Sequence, residues 1–173
     1  ILWSFAPHDI SVILSILGME PTRVTCFGEA YLQHDIFDVT VTSMEFRNQI
    51  KAHIFVSWLH PFKEQRLVVV GSKQMVVFDD TEPEEKLVMF PHTIEWHNGR
   101  VPVAKKAERV VVPIETGEPL RLECAHFLDC IEQRRAPFTN GEEGVRVLRV
   151  IKAAEESLRI EHSSTPVNFN PLR

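Results

Sequence analysis

A histidine near the start of this 173-residue sequence, His8, has a setting that suits acid–base chemistry. It follows Pro7 and precedes apolar residues at helical spacing: Ile10, Ile13, Leu14 and Leu17. This pattern predicts a helix that begins at the proline and ends at Gly18, with His8 in its first turn. Because free N–H groups make that turn positive, we expect a neutral imidazole that can accept a proton. The alternative interpretation is that His8 only packs against the helix start or caps it.

Other chemically suggestive patterns are absent from the sequence. The eight histidines show no spacing typical of a metal site, and three cysteines, an odd number, make no disulfide framework. We interpret all three cysteines as buried thiols, which indicates a reducing, cytoplasmic compartment. The G-x-S-x-G motif of serine hydrolases and the G-x-G-x-x-G turn that holds a dinucleotide pyrophosphate are both missing. We therefore assign no metal ligand and no cofactor-binding residue.

The bulk composition excludes two classes of protein. A net charge of −5 without a dominant basic patch argues against nucleic-acid binding. No apolar run approaches the roughly 18 residues of a membrane span, and no signal-peptide pattern opens the chain. With 44 % hydrophobic residues, the chain can form a real core, and its length suits a single domain over residues 1–173.

After the first helix, hydrophobicity alternates with the period of β-strands. Strands are predicted at residues 23–32, 37–46, 50–60, 65–70, 75–78, 87–90, 93–97, 100–103 and 110–114. The clearest alternation directs Ile50, Ala52, Ile54, Val56 and Trp58 toward a core. The opposite face is mixed and suits a subunit contact, although an ordinary solvated face is the alternative. It carries Lys51, His53, Phe55, Ser57 and Leu59.

Two helices are predicted near the end of the chain. The first begins at Pro119 and has an apolar stripe of Leu120, Cys124, Phe127, Leu128 and Ile131. A capping box from Thr139 to Glu142 opens the second, which turns inward Val145, Leu148, Ile151, Ala154 and Leu158. Residues 163–173 show no periodicity and are predicted to be an extended tail. The elements together predict an α+β fold, with an open, mostly antiparallel sheet of seven or eight strands and helices on one face.

The order of these elements, and residues 3–18, 56–71 and 119–158, resemble the C-terminal domain of one oxidoreductase family. This is the glucose–fructose oxidoreductase, inositol dehydrogenase and rhizopine-catabolism (Gfo/Idh/MocA) family of NAD(P)-dependent sugar and cyclitol oxidoreductases. The resemblance places the family's catalytic histidine at His8 and the acidic residue after it at Asp9. Ser4 and Ser11 stand where members carry aspartates. Trp3, close to His8, is a candidate to line a sugar site.

The resemblance implies the substrate-binding and oligomerisation domain of an NAD(P)-dependent enzyme that acts on a sugar, sugar nucleotide or cyclitol. His8 would be its general base, and Trp3, Ser4 and Asp9 would contact the substrate. The Rossmann domain would precede Ile1, so we expect this chain alone to bind neither NAD nor NADP. The resemblance also implies a homodimer or higher homo-oligomer through the sheet face. The alternative is a non-catalytic, dimerising α+β module that binds a ligand or partner, with His8 structural.

Overall fold

The computed structural model describes residues 1–115 and 117–160, so the predicted tail at 163–173 lies outside the described residues. The described chain has three α-helices: α1 (Leu2–Leu17), α2 (Pro119–Gln133) and α3 (Gly141–Arg159). It divides into two compact units. Among the described residues, unit 1 contains Ile1–Leu59 and residues 135–160, and unit 2 lies within His60–Arg134.

Unit 1 is a three-stranded antiparallel sheet covered on one face by α1 and α3. Its strands are β1 (Arg23–Glu29), β2 (Val39–Glu45) and β3 (Lys51–Ser57), in the order β1-β2-β3. A short 3-10 turn, Arg47–Gln49, joins β2 to β3. The helices and the inner sheet face share one core, whose most buried large side chains include Ile10, Leu14, Met44 and Ile151.

The alternation predicted for residues 50–60 is confirmed within β3, but it is wrong at Trp58, which follows the strand and is 43 % exposed instead of facing the core. Ile54 and Val56 are buried, whereas Lys51, His53 and Phe55 are exposed. In α3, by contrast, the predicted inward face is partly wrong. Ile151 and Ala154 are buried as predicted, but Val145 and Leu148 are about half exposed, at 46 % and 47 %. The buried face is rotated by a fraction of a turn and comprises Val147, Val150, Ile151, Ala154 and Ser157.

The start of α3 also differs from the predicted capping box. The N-cap is Asn140 rather than Thr139, and its side-chain oxygen accepts the N–H groups of Glu142 and Glu143 at 3.0 and 3.1 Å. Asparagine is at least as good an N-cap as threonine, which explains why the helix begins one residue later. Near its other end, the Ser157 hydroxyl pairs with the backbone of Cys26 and so satisfies the edge strand β1.

The predicted start of α1 is wrong by five residues. The helix begins at Leu2, with Ile1 as N-cap, and Pro7 lies inside it. The Ile1 carbonyl accepts the N–H groups of Ser4 and Phe5 at 2.9 and 3.2 Å, which closes the first turn. Leu2 and Ala6 continue the buried stripe of Ile10 toward the N-terminus, and this burial outweighs the hydrogen bond that the proline removes. Gly18 ends the helix as predicted, with a left-handed φ of 62°.

Unit 2 holds an antiparallel sheet of five short strands and α2. Its strands are β4 (Arg66–Val70), β5 (Gln74–Asp79), β6 (Leu87–His97), β7 (Val101–Lys106) and β8 (Val110–Val111). They pair in the order β4-β5-β6-β7, and β8 also pairs with β6. The predicted turns at Gly71 and at Asn98-Gly99 are confirmed as the β4–β5 and β6–β7 connections.

Two strands predicted at 87–90 and 93–97 form the single strand β6. Pro91 sits where β6 changes partner, from β5 before it to β7 after it, so its missing N–H breaks neither ladder. The eight strands thus lie in two sheets, one in each unit. All strand pairs within these two sheets are antiparallel. The predicted α+β class is confirmed.

The apolar stripe predicted to bury α2 is wrong in this structure. Only Cys130 of this helix is buried. The exposed residues include Leu120, Cys124, Phe127, Leu128 and Ile131. The interpretation of all three cysteines as buried thiols is therefore also wrong for Cys124, whereas Cys26 and Cys130 are buried. Helical spacing identifies an apolar face, but it does not say which surface covers that face.

Candidate active site

The exposed side of α1 carries the two residues at the centre of the predicted site. Ser4 and His8 are both exposed and lie one turn apart on the same side, because residues four apart share a helix face. Phe5 and Val12 flank them and are 48 % and 44 % exposed. The other side of α1 faces the core through Leu2, Ala6, Ile10, Ile13 and Leu14. The sheet thus fixes the helix so that His8 points into solvent.

His8 does not lie in the first helical turn as predicted. It is the seventh residue of a helix that begins at Leu2. The effect of the helix dipole is confined to the first turn, so the electrostatic reason for expecting a neutral imidazole at His8 does not apply. What the structure provides instead is access, because the ring is exposed and can meet a substrate hydroxyl from solvent.

Trp3 lies on a different side of α1 from His8. Five residues separate them, which is about 140° around a helix. The Lys152 ammonium on α3 lies 5.5 Å from the centre of the Trp3 ring. Lys152 is the main cause that lowers the pKa of Glu155, and a hydrogen bond from Trp3 adds to it. Trp3 thus contacts α3, and the structure does not bring it together with Ser4 and His8.

Asp9 lies at the border between the exposed and buried sides of α1. Its side chain is half-buried, and burial raises the pKa of the carboxyl group. The neighbouring His8 acts in the opposite direction and lowers the pKa of Asp9. A carboxylate next to the imidazole would stabilise the protonated ring after His8 has taken a proton.

A loop that sequence reasoning missed reaches the start of α1. It comprises residues 30–38 between β1 and β2, and the Ile1 nitrogen donates to the Phe37 carbonyl at 2.9 Å. The Asp38 side chain is only 1 % exposed. Its Oδ2 atom accepts the backbone N–H groups of Tyr31 and Leu32 at 2.6 and 2.7 Å. A buried carboxylate therefore fixes the backbone of a loop that contacts the start of α1.

Half of this loop lies within strands predicted at 23–32 and 37–46, which is why the sequence did not identify it. One signal was present. Asp38 is two and four residues from Thr40 and Thr42, so on an extended chain its side chain points to the same, core-facing side. A carboxylate at a core-facing position requires hydrogen-bond donors. A buried aspartate just before a strand would have indicated a loop folded around its side chain.

Clusters of ligating side chains and glycine-rich strand-to-helix turns are the features that would hold a metal ion or a dinucleotide. No group of three or more His, Cys, Asp or Glu side chains among them could hold a metal ion. No described helix is long and apolar enough to cross a membrane. Gly28 lies inside β1 and not at a strand-to-helix turn, where a pyrophosphate-binding glycine would be needed, and a Cβ atom there would collide with the Val39 carbonyl oxygen.

Comparison with known protein families identifies the family of this chain. The model described as "Oxidoreductase family, C-terminal alpha/beta domain" (Gfo/Idh/MocA) matches residues 1–169. The chain belongs to this family. The predicted family resemblance is thereby confirmed over almost the whole chain. A comparison with curated protein sequences finds no match.

Solved structures of similar fold are dehydrogenases and oxidoreductases. UDP-N-acetylglucosamine 3-dehydrogenase from Acidithiobacillus ferrooxidans has a TM-score of 0.73 at 20 % identity, covering 91 % of this chain and 46 % of that one. Aldose–aldose oxidoreductase from Caulobacter crescentus, complexed with glycerol, has a TM-score of 0.64 at 19 % identity, covering 88 % of this chain and 43 % of that one. The WlbA dehydrogenase from Bordetella pertussis, in complex with NADH and UDP-GlcNAcA, has a TM-score of 0.61 at 18 % identity, covering 89 % of this chain and 41 % of that one.

These likenesses show that the family fold is shared. The chain spans less than half the length of each of the three structures.

Proposed function

We propose that residues 1–173 form the substrate-binding and oligomerisation domain of an NAD(P)-dependent oxidoreductase. Its substrate would be a hydroxyl group of a sugar, sugar nucleotide or cyclitol. Membership of the family supports this proposal, as do similar folds whose names include a sugar-nucleotide dehydrogenase and an aldose oxidoreductase. The observation that carries it is the exposed His8, held on a rigid helix with Ser4 one turn away.

His8 would act as the general base for the substrate hydroxyl. Its imidazole would accept the hydroxyl proton, and the adjacent Asp9 carboxylate would stabilise the resulting positive charge. Ser4 would hydrogen-bond the substrate or a bound water where other family members carry aspartate. NAD or NADP, held by a Rossmann domain outside this chain, would supply the hydride acceptor. Since all three cysteines are free thiols, we place the enzyme in the reducing cytoplasm.

The proposed role of His8 is tested in the complete enzyme with one substrate candidate of each class: glucose, UDP-glucose and myo-inositol. We expect His8→Ala to lower kcat by about 10²–10⁴-fold, the usual contribution of a general base. Affinity for the nucleotide should stay nearly unchanged, because the proposed Rossmann domain outside this chain, and not His8, would hold the pyrophosphate. Ser4→Ala is the matched variant one turn away and should cost less. An unchanged kcat in His8→Ala would favour the non-catalytic module.

The outer face of the unit 1 sheet supports the proposed oligomer. Phe27, Val41 and Phe55 lie directly opposite one another across the three strands, so they form one apolar row. Phe27 is 56 % exposed and Phe55 is 50 % exposed. Four residues further along the strands, Glu45 makes ion pairs with Arg23 and Lys51 and so forms a charged rim. An apolar centre with a charged rim is typical of protein–protein interfaces, and we propose that it meets its own copy in a two-fold dimer.

Light scattering coupled to size exclusion tests the dimer. We expect the wild-type chain to elute as a dimer at micromolar concentration, and Phe55→Glu to weaken it because the new carboxylate would be buried without a partner. Phe62→Glu changes an equally large ring that is 67 % exposed but lies in unit 2, so it serves as the control. A monomeric wild type, or equal effects of the two variants, would contradict this interface.

A further inference from the structure

The loop between β1 and β2 is held at its base by several hydrogen bonds to Asp38. Besides the two bonds to the Asp38 carboxylate, the Asp38 backbone joins the sheet on both sides. Its N–H donates to the Glu29 carbonyl at 2.9 Å, and its carbonyl accepts the Trp58 N–H at 3.0 Å. Asp38 thus extends the row of sheet pairing beyond the ends of the strands. Four hydrogen bonds converge on one residue and define the path of the loop.

The side chains that this backbone presents do not pack into unit 1. Tyr31 and Leu32 are each 68 % exposed, and Ile36 is 42 % exposed. At the loop tip, His34 pairs with Asp35 at 2.8 Å, on a tight turn closed between Gln33 and Ile36. Ordered backbone combined with exposed aromatic and aliphatic side chains is the arrangement of a preorganised binding loop.

The loop contacts the N-terminal end of α1, and the proposed base lies about two turns further along the helix. Its last residues contact the helix start, where the Ile1 nitrogen donates to the Phe37 carbonyl. His8 is seven residues along the helix from Ile1, which is about 10 Å at 1.5 Å per residue. This span is comparable to a hexose with one substituent. A substrate of that size, bound at His8 and directed toward the start of α1, would reach the base of the loop.

We infer that residues 30–37 form a specificity wall of the substrate site, and that Asp38 is the positioning residue that holds this wall. Tyr31 and Leu32 would pack against the apolar C–H face of a sugar or cyclitol ring, while the hydroxyl of Tyr31 donates to a ring substituent. The inference rests on the proposed function, because it adds a wall to the same site. It assigns the loop to substrate binding and leaves proton transfer to His8.

Hydrogen exchange in the complete protein tests the positioning role. Asp38→Ala removes both acceptors, so the amides of Tyr31 and Leu32 should exchange more than about tenfold faster. Asp38→Asn keeps one neutral acceptor oxygen and tests the same point if the alanine variant fails to fold; exchange should again be faster than in wild type. The control is Asp79→Ala, which removes a similar carboxylate–N–H bond to Thr81 in unit 2. Unchanged exchange at Tyr31 and Leu32 in the Asp38 variants would overturn the inference.

Steady-state kinetics with glucose, UDP-glucose and myo-inositol tests the binding role. Tyr31→Ala should raise KM for the accepted substrate about tenfold while kcat changes less than about twofold, because it removes binding made equally in ground and transition states. Trp96→Ala, which truncates a 63 % exposed ring in unit 2, should change neither constant. A lower kcat with unchanged KM in Tyr31→Ala would overturn the assignment to substrate binding.

A readout without turnover separates this inference from the proposed function. Tyr31 is the sole tyrosine among the 173 residues, so fluorotyrosine labelling gives this domain one fluorine resonance, assigned by its loss in Tyr31→Phe. Titration with the three compounds should shift that resonance at saturable concentration. If no compound is oxidised but the resonance shifts, the proposed function fails and the binding wall stands. If turnover occurs and the resonance does not move, the wall is wrong and the function stands.

Discussion

Two helices of similar amphipathic pattern, α1 and α2, have opposite fates in this structure. α1 buries Leu2, Ala6, Ile10, Ile13 and Leu14 against the unit 1 sheet. α2 has an apolar stripe at comparable spacing, yet Cys130 is its only buried residue. Unit 2 as a whole buries few side chains, namely Val77, Val88 and Cys130.

The difference teaches what an apolar stripe can and cannot predict. Burial follows from a complementary surface, and α1 finds one in the inward residues of the three-stranded sheet, such as Met44 and Ile54. The apolar stripe of α2 also requires an apolar surface to pack against, but its spacing does not show which surface that is. Periodicity is therefore evidence for a helix, whereas the energy that the helix contributes depends on tertiary contacts.

The largest expected effect separates the two helices by truncating one leucine in each. Leu14 is fully buried, so Leu14→Ala should destabilise the chain by about 2–5 kcal/mol through lost burial and a cavity. Leu128 is 64 % exposed, and Leu128→Ala should change the free energy of unfolding by less than about 0.5 kcal/mol. Denaturant unfolding followed by circular dichroism measures both. Equal losses would mean that α2 is as firmly packed as α1.

A smaller effect compares the N-caps of α3 and α2. Asn140 caps α3, which is packed in the core, so Asn140→Ala should lower the free energy of unfolding by about 1 kcal/mol. Glu118 caps α2 by accepting the Arg121 N–H at 2.7 Å. Because α2 buries little, Glu118→Ala should fray this helix locally and leave the main transition unchanged. Hydrogen exchange at Arg121 should accelerate in that variant, and a shifted main transition would show that α2 unfolds with the core.

The sequence was sufficient wherever local pattern and tertiary burial agree. The alternation of β3, the Asn98-Gly99 turn and the Gly18 helix stop are cases in which the residues themselves require the local conformation. The start of α1 could not be predicted, because the burial of Leu2 and Ala6 by a sheet distant in sequence overrides the proline signal.

The candidate site shows the same division between local and tertiary information. His8 was identified from its neighbours, and its exposure agrees with a role in solvent-accessible chemistry. Trp3 was assigned to the site from proximity in sequence, but its contact with Lys152 depends on where α3 packs. The Asp38 loop combines residues seven positions apart through one buried carboxylate, which no periodic pattern records.

The smallest expected effect concerns Asp9, whose ionisation is coupled to the burial that distinguishes α1 from α2. Burial raises the pKa of Asp9 above its usual 3.8, so ionisation costs the folded chain more than the unfolded chain. This cost is absent below the unfolded pKa, grows as pH rises toward the folded pKa, and stays constant above it. Asp9→Asn removes the ionisation, so its melting temperature should match wild type at acidic pH and exceed it slightly at neutral pH. Asp129→Asn changes an exposed acid on α2 and should give no such pH-dependent difference. Thermal melts of the three proteins across this pH range measure the difference in melting temperature between each variant and wild type. A difference between Asp9→Asn and wild type that shrinks as pH rises would contradict the burial of Asp9.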